Sequence, residues 1–148
     1  MAIHNSIEDF NNITLNLIEE KIVNIEYYGL RIISENEDFS DYKTKFKNVH
    51  SFEIALVLQM ENGNIFEFIW DNSFFTYGIG ILKKNIYEDY TNEAVTKWIM
   101  TDDPFWKIYL NKEIINLSIL WETNLGKIIH SPNIDEIEKK EPNIYPVT

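Results

Sequence analysis

The chain has no cysteine and a single arginine, Arg31, among its 148 residues. The lack of cysteine excludes disulfide bonds, thiolate catalysis and cysteine-ligated zinc sites. The lone guanidinium argues against an enzyme that acts on phosphate groups, because such sites usually recruit several arginines or lysines. The N-terminus has no basic region followed by an apolar stretch, and no apolar run approaches about 18 residues, so we expect neither a signal peptide nor a membrane span.

Acidic residues, by contrast, are in large surplus. The 24 aspartates and glutamates outnumber the 13 lysines and arginines, which gives a formal net charge of −11 and a pI near 4.6. Such a charge favours a basic partner and disfavours nucleic acid or an anionic membrane as a direct ligand. Together with the missing cysteines and signal peptide, it predicts a cytoplasmic protein.

Length and composition predict one folded domain. A chain of 148 residues with 45% hydrophobic residues can bury a sufficient core without covalent cross-links. We place this domain at residues 1–130. Residues 131–148 are polar and contain three of the four prolines, so we expect an irregular C-terminal tail there.

The hydrophobic pattern predicts an α+β fold with a mostly antiparallel sheet of about five to six strands. The chain begins with a helix over residues 6–19, where Ser6 is a suitable N-cap and apolar residues recur every three or four positions. An alternating apolar run over residues 22–33 predicts the first strand.

A β-hairpin is the clearest local signal. Apolar residues alternate over residues 52–60 and again over residues 65–70, on either side of Asn62-Gly63. This pair is typical of a type I′ turn between two strands. Residues 74–82 are rich in aromatic and β-branched residues and predict a further strand.

Two short helices and a second hairpin complete the predicted fold. The first helix covers residues 91–99, and the second begins at Asp102-Asp103-Pro104, because Asp is a preferred cap and Pro is favoured in the first turn. Residues 113–121 alternate again, and residues 127–130 can pair back with them. The sheet therefore packs with helices on one face.

No residue pattern indicates catalysis, a metal site or a bound cofactor. His4, His50 and His130 lack the short spacing of zinc ligands. Neighbouring carboxylates are common in so acidic a chain, and Asp102 is better explained as a helix cap. We therefore predict that the protein is not an enzyme.

Clustered acidic residues are the candidate binding residues. The stretch over residues 34–50 is acidic at first and carries alternating lysines later. Two interpretations remain open: a solvated loop, or a binding loop that offers carboxylates to a basic partner. The candidate partner-binding residues, here and in two later predicted loops, are Glu35, Glu37, Asp38, Asp41, Asp71, Glu88 and Asp89.

A small, cysteine-free, strongly acidic α+β chain without catalytic residues resembles in type the immunity proteins of bacterial toxin systems. These include the partners of contact-dependent inhibition toxins and of other polymorphic toxins. The hairpin over residues 52–70 and the following Tyr77-Gly78-Ile79-Gly80 look like many small β-rich bacterial domains. The resemblance implies a protein that binds a cognate toxin domain, often a basic nuclease, and blocks its active site or an adjacent surface in the cytoplasm.

Two other hypotheses remain open. A small-ligand-binding protein or enzyme would use an aromatic pocket in the sheet, for instance around Trp70 and Trp121. A homo-oligomeric structural protein would instead pair through an edge strand. The sequence predicts neither the oligomeric state nor the identity of the partner.

Overall fold

The computed structural model describes residues 3–30, 42, 50–51, 53–71, 78–86, 95–117, 121–122 and 128–129. Five strands form one antiparallel sheet in the order β4-β3-β2-β1-β5, and β6 pairs with β7. This confirms the α+β fold and the antiparallel sheet, whereas the predicted tail at residues 131–148 lies outside the described residues. The elements are α1 (Ile7–Leu15), β1 (Ile22–Leu30), β2 (Ala55–Met60), β3 (Ile65–Asp71), β4 (Gly78–Lys84), β5 (Val95–Ile99), α2 (Pro104–Lys107), β6 (Trp121–Glu122) and β7 (Ile128–Ile129).

Helix α1 begins where the capping pattern predicts it. The Ser6 hydroxyl accepts a hydrogen bond from the Asp9 backbone N–H at 3.1 Å, which satisfies one of the free donors of the first turn. The helix ends at Leu15, and the chain continues as turns through residue 19. Phe10 and Leu17 are only 5% and 1% exposed, so the apolar stripe determines which face of α1 meets the sheet.

Strands β2 and β3 confirm the predicted hairpin, but its turn is of another kind. A type I′ turn needs positive φ at both central residues. Gly63 has φ +93°, whereas Asn62 is not one of the described residues with positive φ. The Gly63 N–H donates to the Met60 carbonyl at 3.0 Å, and the Met60 N–H donates to the Asn64 carbonyl at 2.9 Å. The loop therefore has three residues and ends in a left-handed glycine, and the type I′ prediction is wrong.

Strand β5 corrects the predicted helix over residues 91–99. Residues 95–99 pair antiparallel with β1, so the prediction is wrong for them, and the residues before them lie outside the described part. Along β5, Trp98 is half-buried whereas Lys97 and Ile99 are exposed. This alternation has the period of a strand.

The second predicted helix is confirmed as α2. Its N-cap is Asp103 rather than Asp102, since Asp103 Oδ1 accepts a hydrogen bond from the Phe105 N–H at 2.9 Å. Pro104 follows in the first turn, where a missing N–H costs no hydrogen bond. None of the helices in the described ranges is long and apolar enough to cross a membrane.

Only part of the last predicted hairpin matches. Strands β6 and β7 pair Trp121 with Ile129, as predicted, and the pairing extends by one residue beyond the predicted strand, to Glu122 and Ile128. Residues 114–117 form no strand, so the strand predicted over residues 113–121 is wrong for them. Their apolar alternation reflects no buried face, because Ile115 is 85% exposed.

Both faces of the sheet are buried. One core cluster joins side chains of α1 to Tyr27, Leu58 and Phe66 of the sheet, and a second cluster contains Tyr28 and Val57 on the other face. Because successive residues of a strand point to opposite faces, the buried carboxylates of Glu26 and Glu67 belong to the second face. The Tyr28 hydroxyl donates to Glu26 at 3.0 Å, and Lys84 forms an ion pair with Glu67 at 3.1 Å.

The N-terminal residues Ile3 and His4, which we call the N-terminal clip, bind the end of β3 and the edge strand β4. The Ile3 N–H donates to Asp71 Oδ1 at 3.0 Å, and the Ile81 N–H donates to His4 Nε2 at 3.1 Å. Because Nε2 accepts a hydrogen bond, the imidazole is neutral. Burial lowers the pKa of His4, and the negative charges of Asp71 and Asp9 oppose this only in part.

Replacing His4 by glutamine is expected to remove a pH-dependent part of the stability. The amide oxygen of glutamine can accept the same bond without titrating. The unfolded chain binds a proton at His4 near its ordinary pKa of 6.5, whereas the folded chain binds it at a lower pKa. The stability from neutral His4 is therefore complete above about pH 6.5 and is lost as the pH falls through the folded pKa.

Urea unfolding of the native protein and of His4→Gln at several pH values tests this expectation. The free energy of unfolding should fall more steeply for the native protein as the pH is lowered from about 7 toward 5. Both proteins carry the same carboxylates, so their titration cancels in the comparison. Equal pH dependence would show that His4 is not held neutral by the fold.

Candidate functional site

Strand ends meet at one end of the sheet, which we call the Leu30 end. Strands β1 and β3 finish there, and β2, β4 and β5 begin there. Residues 31–41 follow Leu30 directly in the chain. The predicted site residues that lie outside the described residues are Glu35, Glu37, Asp38, Asp41, Glu88 and Asp89.

Asp71 is the one predicted site residue in the described part of the chain. Its position corrects the prediction that it lies in a loop. It is the last residue of β3 rather than part of a turn, and it is 5% exposed. Its carboxylate accepts the Ile3 N–H, and a Cβ at Gly80 would lie 2.7 Å from the Asp71 Cβ. Asp71 therefore holds the N-terminal clip, and so buried a carboxylate offers no contact surface to a partner.

An apolar groove of about 260 Å³ lies at the same end. Trp70 and Ile79 lie opposite each other in the β3–β4 pair and are 54% and 56% exposed. We call this the Trp70 groove. The ligand-pocket hypothesis named Trp70 and Trp121; Trp70 lines this groove, and the Trp121 side chain lies outside the described part of the chain. Its lining residues are His50, Ser51, Ile54, Leu56, Phe68, Ile69, Trp70 and Ile79.

Glu53 holds the Trp70 indole and carries a charge beside the groove. The Trp70 Nε1–H donates to the Glu53 carbonyl at 3.0 Å, and the Glu53 carboxylate accepts the Leu30 N–H at 2.7 Å. A Cβ at Gly29 would lie 2.7 Å from that carboxylate and 2.7 Å from the Trp98 ring, so a side chain there would displace both. The Glu53 backbone thus holds the indole, while its exposed carboxylate is fixed at the end of β1.

His50 joins the groove to an aromatic cluster. Its ring stacks on Phe105 with centroids 4.1 Å apart, and its Nδ1 is 2.9 Å from the Tyr27 hydroxyl. That hydroxyl accepts the Trp106 Nε1–H at 2.5 Å and is also hydrogen-bonded to His50 Nδ1. The chain Trp106–Tyr27–His50 orients the imidazole.

The Tyr27 hydroxyl stays protonated in this arrangement. Burial raises the pKa of Tyr27 to about 12; the bond from Trp106 lowers it, and the nearby Tyr42 and Asp103 raise it further. The Tyr42 hydroxyl also binds the backbone of Ser51, accepting its N–H and donating to its carbonyl, each at 2.7 Å. The hydroxyls thus make the groove wall rigid.

Metal-ligating side chains do not come together in the described ranges. No group of three His, Asp or Glu side chains there has an arrangement that could hold a metal ion. His4 accepts the Ile81 N–H and His50 is bound by Tyr27, so the structure assigns both imidazoles to hydrogen bonds within the fold.

A second acidic surface, which the sequence analysis missed, lies at the opposite end of the sheet. The Glu19 N–H donates to the Ile114 carbonyl at 2.7 Å and the Glu61 N–H donates to the Lys21 carbonyl at 2.9 Å. An isolated bridge pairs Lys21 with Glu113. Three exposed carboxylates far apart in sequence thus become neighbours through backbone pairing, which no local sequence signal reveals. The cleft there, of about 250 Å³, is lined by Glu19, Glu20, Lys21, Glu61 and Asn62.

Comparison with known proteins gives no family. No protein-family model, no curated protein and no solved structure matches this chain. The function is therefore argued from the charge, the topology and the two surfaces described above.

Proposed function

We propose that this chain is an acidic cytoplasmic binding protein that neutralises a basic protein partner. In type it is a toxin-immunity protein that covers a cognate toxin domain, and it acts by binding rather than by catalysis. The formal net charge of −11 is the observation that carries the proposal. The exposed carboxylates of the described residues are Glu8, Glu19, Glu53, Glu61, Asp102 and Glu113.

This charge acts first on the encounter with the partner. A negative field attracts a basic surface over about 8 Å at physiological salt and raises the association rate. Carboxylates also compete with phosphate groups for the same lysines and arginines, so a basic nuclease would lose access to its substrate. Affinity depends more on a desolvated apolar centre than on such rim charges.

Capture of the partner from a lysate of the source cells tests the proposal. The tagged protein is expected to retain one stoichiometric basic protein at low salt and less of it at high salt. The purified partner should lose its activity when the acidic protein is added in equal amount. Retention of no protein at either salt, or a partner whose activity is unaffected, would contradict the proposed function.

Replacing Glu37, Asp38 and Asp41 together by lysine is expected to slow association with the basic partner. The substitutions reverse a local cluster of charge, so we expect a decrease in rate of at least about tenfold at low salt and a weaker salt dependence. Stopped-flow measurement of the association rate over a range of ionic strengths checks this expectation.

A matched variant separates local from total charge. Lysine at Glu19, Glu61 and Glu113 changes the formal charge by the same amount at a different set of acidic residues. Equal slowing in both variants would show that only the net charge matters. Unchanged association of the Glu37, Asp38 and Asp41 variant would remove residues 31–41 from the interface.

The ligand-pocket hypothesis is favoured by one observation, the Trp70 groove. A small-ligand site usually encloses roughly 300–1,000 Å³ and buries most of its ligand, whereas this groove measures about 260 Å³. Its Trp70 and Ile79 walls are also more than half exposed. The groove therefore fits one side chain of a larger partner better than it fits a cofactor.

A further inference from the structure

Two large apolar side chains face water at the Leu30 end. Trp70 is 54% exposed and Ile79 is 56% exposed, and they lie directly opposite each other in the β3–β4 pair. Single exposed apolar residues are common on protein surfaces. Here, however, the two flank a concave groove with mostly apolar lining, and an apolar groove of this kind marks an interaction site.

The groove is rigid before anything binds. The bond from the Trp70 Nε1–H to the Glu53 carbonyl holds the indole in place. On the other side, His50 is fixed by the hydroxyl of Tyr27 and by stacking on Phe105. Binding therefore costs little side-chain entropy, which is the condition under which a tryptophan contributes most to affinity.

Charge determines which kind of partner fits. Glu53 precedes the lining residue Ile54, and its exposed carboxylate accepts the Leu30 N–H; a carboxylate can accept several hydrogen bonds, including those of a cation. The whole chain carries a formal charge of −11. An apolar side chain with lysine or arginine beside it matches both the groove and its surroundings.

We propose that the Trp70 groove binds an apolar anchor side chain of the basic partner, with an adjacent lysine or arginine of that partner bound by Glu53. This inference rests on the proposed function and gives it a location. The groove is the desolvated centre of the interface, and the Glu53 carboxylate belongs to its charged rim.

Titration of the full chain with three synthetic pentapeptides tests the proposal. The first has a central leucine between four lysines, the second replaces the leucine by alanine, and the third replaces the lysines by glutamates. Methyl NMR signals of Ile54, Ile69 and Ile79 report on the groove. We expect saturable shifts at low salt with the first peptide, and binding at least about tenfold weaker with each of the others.

Variants locate the binding on the protein. Trp70→Ala and Ile79→Ser should each abolish the shifts produced by the leucine-lysine peptide. Two different substitutions are used so that a folding defect in one of them does not decide the result. Ile99→Ala is the matched control, because Ile99 is 65% exposed on the distant edge strand β5; it should bind as the native protein does. Glu53→Gln should weaken binding of the lysine peptides and should not weaken binding of the glutamate peptide, because it removes an attraction for the former and a repulsion for the latter.

Several outcomes would overturn the proposal. If the leucine and alanine peptides bind equally and the shifts lie away from the groove, charge alone binds the peptides. The proposed function then remains possible, but the Trp70 groove is not its site. Equal binding of the lysine and glutamate peptides means an apolar site with no preference for a basic partner. Shifts that depend on protein concentration in the absence of peptide mean that a second copy occupies the groove. Absence of shifts with every peptide also rejects it.

Discussion

Replacing Tyr27 by alanine should lower the free energy of unfolding by about 3–5 kcal/mol, as is usual for a large aromatic residue removed from a core. Tyr27 is 1% exposed. Its ring meets those of Tyr42, His50 and Trp106 edge-on, with centroids 5.0, 5.7 and 6.4 Å apart. The substitution therefore leaves a cavity between the sheet and α2 and removes the hydroxyl that orients His50.

Tyr27→Phe isolates the contribution of that hydroxyl. The ring contacts remain, but the Trp106 Nε1–H and the His50 Nδ1 lose the oxygen that they share. We expect a loss of about 1–3 kcal/mol, the usual cost of leaving a buried polar group without its partner. The Tyr27 pKa of about 12 keeps the phenol protonated, so ionisation of Tyr27 adds no pH dependence to this loss below about pH 9.

Urea unfolding followed by far-UV circular dichroism measures both effects. Tyr109→Phe is the control, because Tyr109 is 50% exposed and also lies beside Trp106; it should change stability by less than about 0.5 kcal/mol. If Tyr27→Phe changes stability no more than Tyr109→Phe does, the Trp106–Tyr27–His50 chain contributes nothing to the fold.

The elements that the sequence predicts correctly are those specified by local chemistry. Ser6 caps α1 through a bond to Asp9 only three residues away, and the Asn62-Gly63 pair lies between two alternating runs that pair as β2 and β3. In both cases the interacting groups are near each other in the chain. Propensity and period are then sufficient to predict the element.

The prediction failed where long-range pairing decides the structure. Val95 to Ile99 are compatible with a helix or a strand by spacing alone, and pairing with β1 decides for the strand. Asp71 follows Trp70 and resembles a turn residue, yet the Ile3 N–H, 68 residues away in sequence, binds its carboxylate. Neither partner can be identified from the local sequence.

The candidate site also combines residues that the local sequence identifies with residues that only long-range pairing brings together. Trp70 stands out in the sequence as an aromatic residue near the end of a hairpin strand. Ile79 joins it through the β3–β4 register, whereas His50 and Glu53 arrive from the connection between β1 and β2. Composition alone predicted the acidic character, but the grouping of Glu19, Glu61 and Glu113 needed the backbone pairing of three separate segments.

Replacing Lys84 by methionine should destabilise the fold by about 3 kcal/mol, near the lower limit for a broken buried ion pair. Glu67 is 2% exposed, and the Lys84 ammonium lies 3.1 Å from its carboxylate. The two residues are diagonal neighbours, since Glu67 lies opposite Leu82 and Lys84 lies opposite Ile65. Removing the cation leaves a carboxylate in the core with weaker compensation for its lost hydration.

The adjacent Lys83 is a matched control in the same strand. Its ammonium donates to Asn16 Oδ1 at 3.2 Å at an exposed position, so Lys83→Met should cost less than about 0.5 kcal/mol. The double variant Glu67→Gln with Lys84→Met should recover part of the loss, because it removes both charges of the pair. Urea unfolding of the native protein, Glu67→Gln, Lys84→Met and the double variant completes the cycle. If Lys84→Met costs no more than Lys83→Met, the Lys84 charge is not what allows Glu67 to be buried in the sheet.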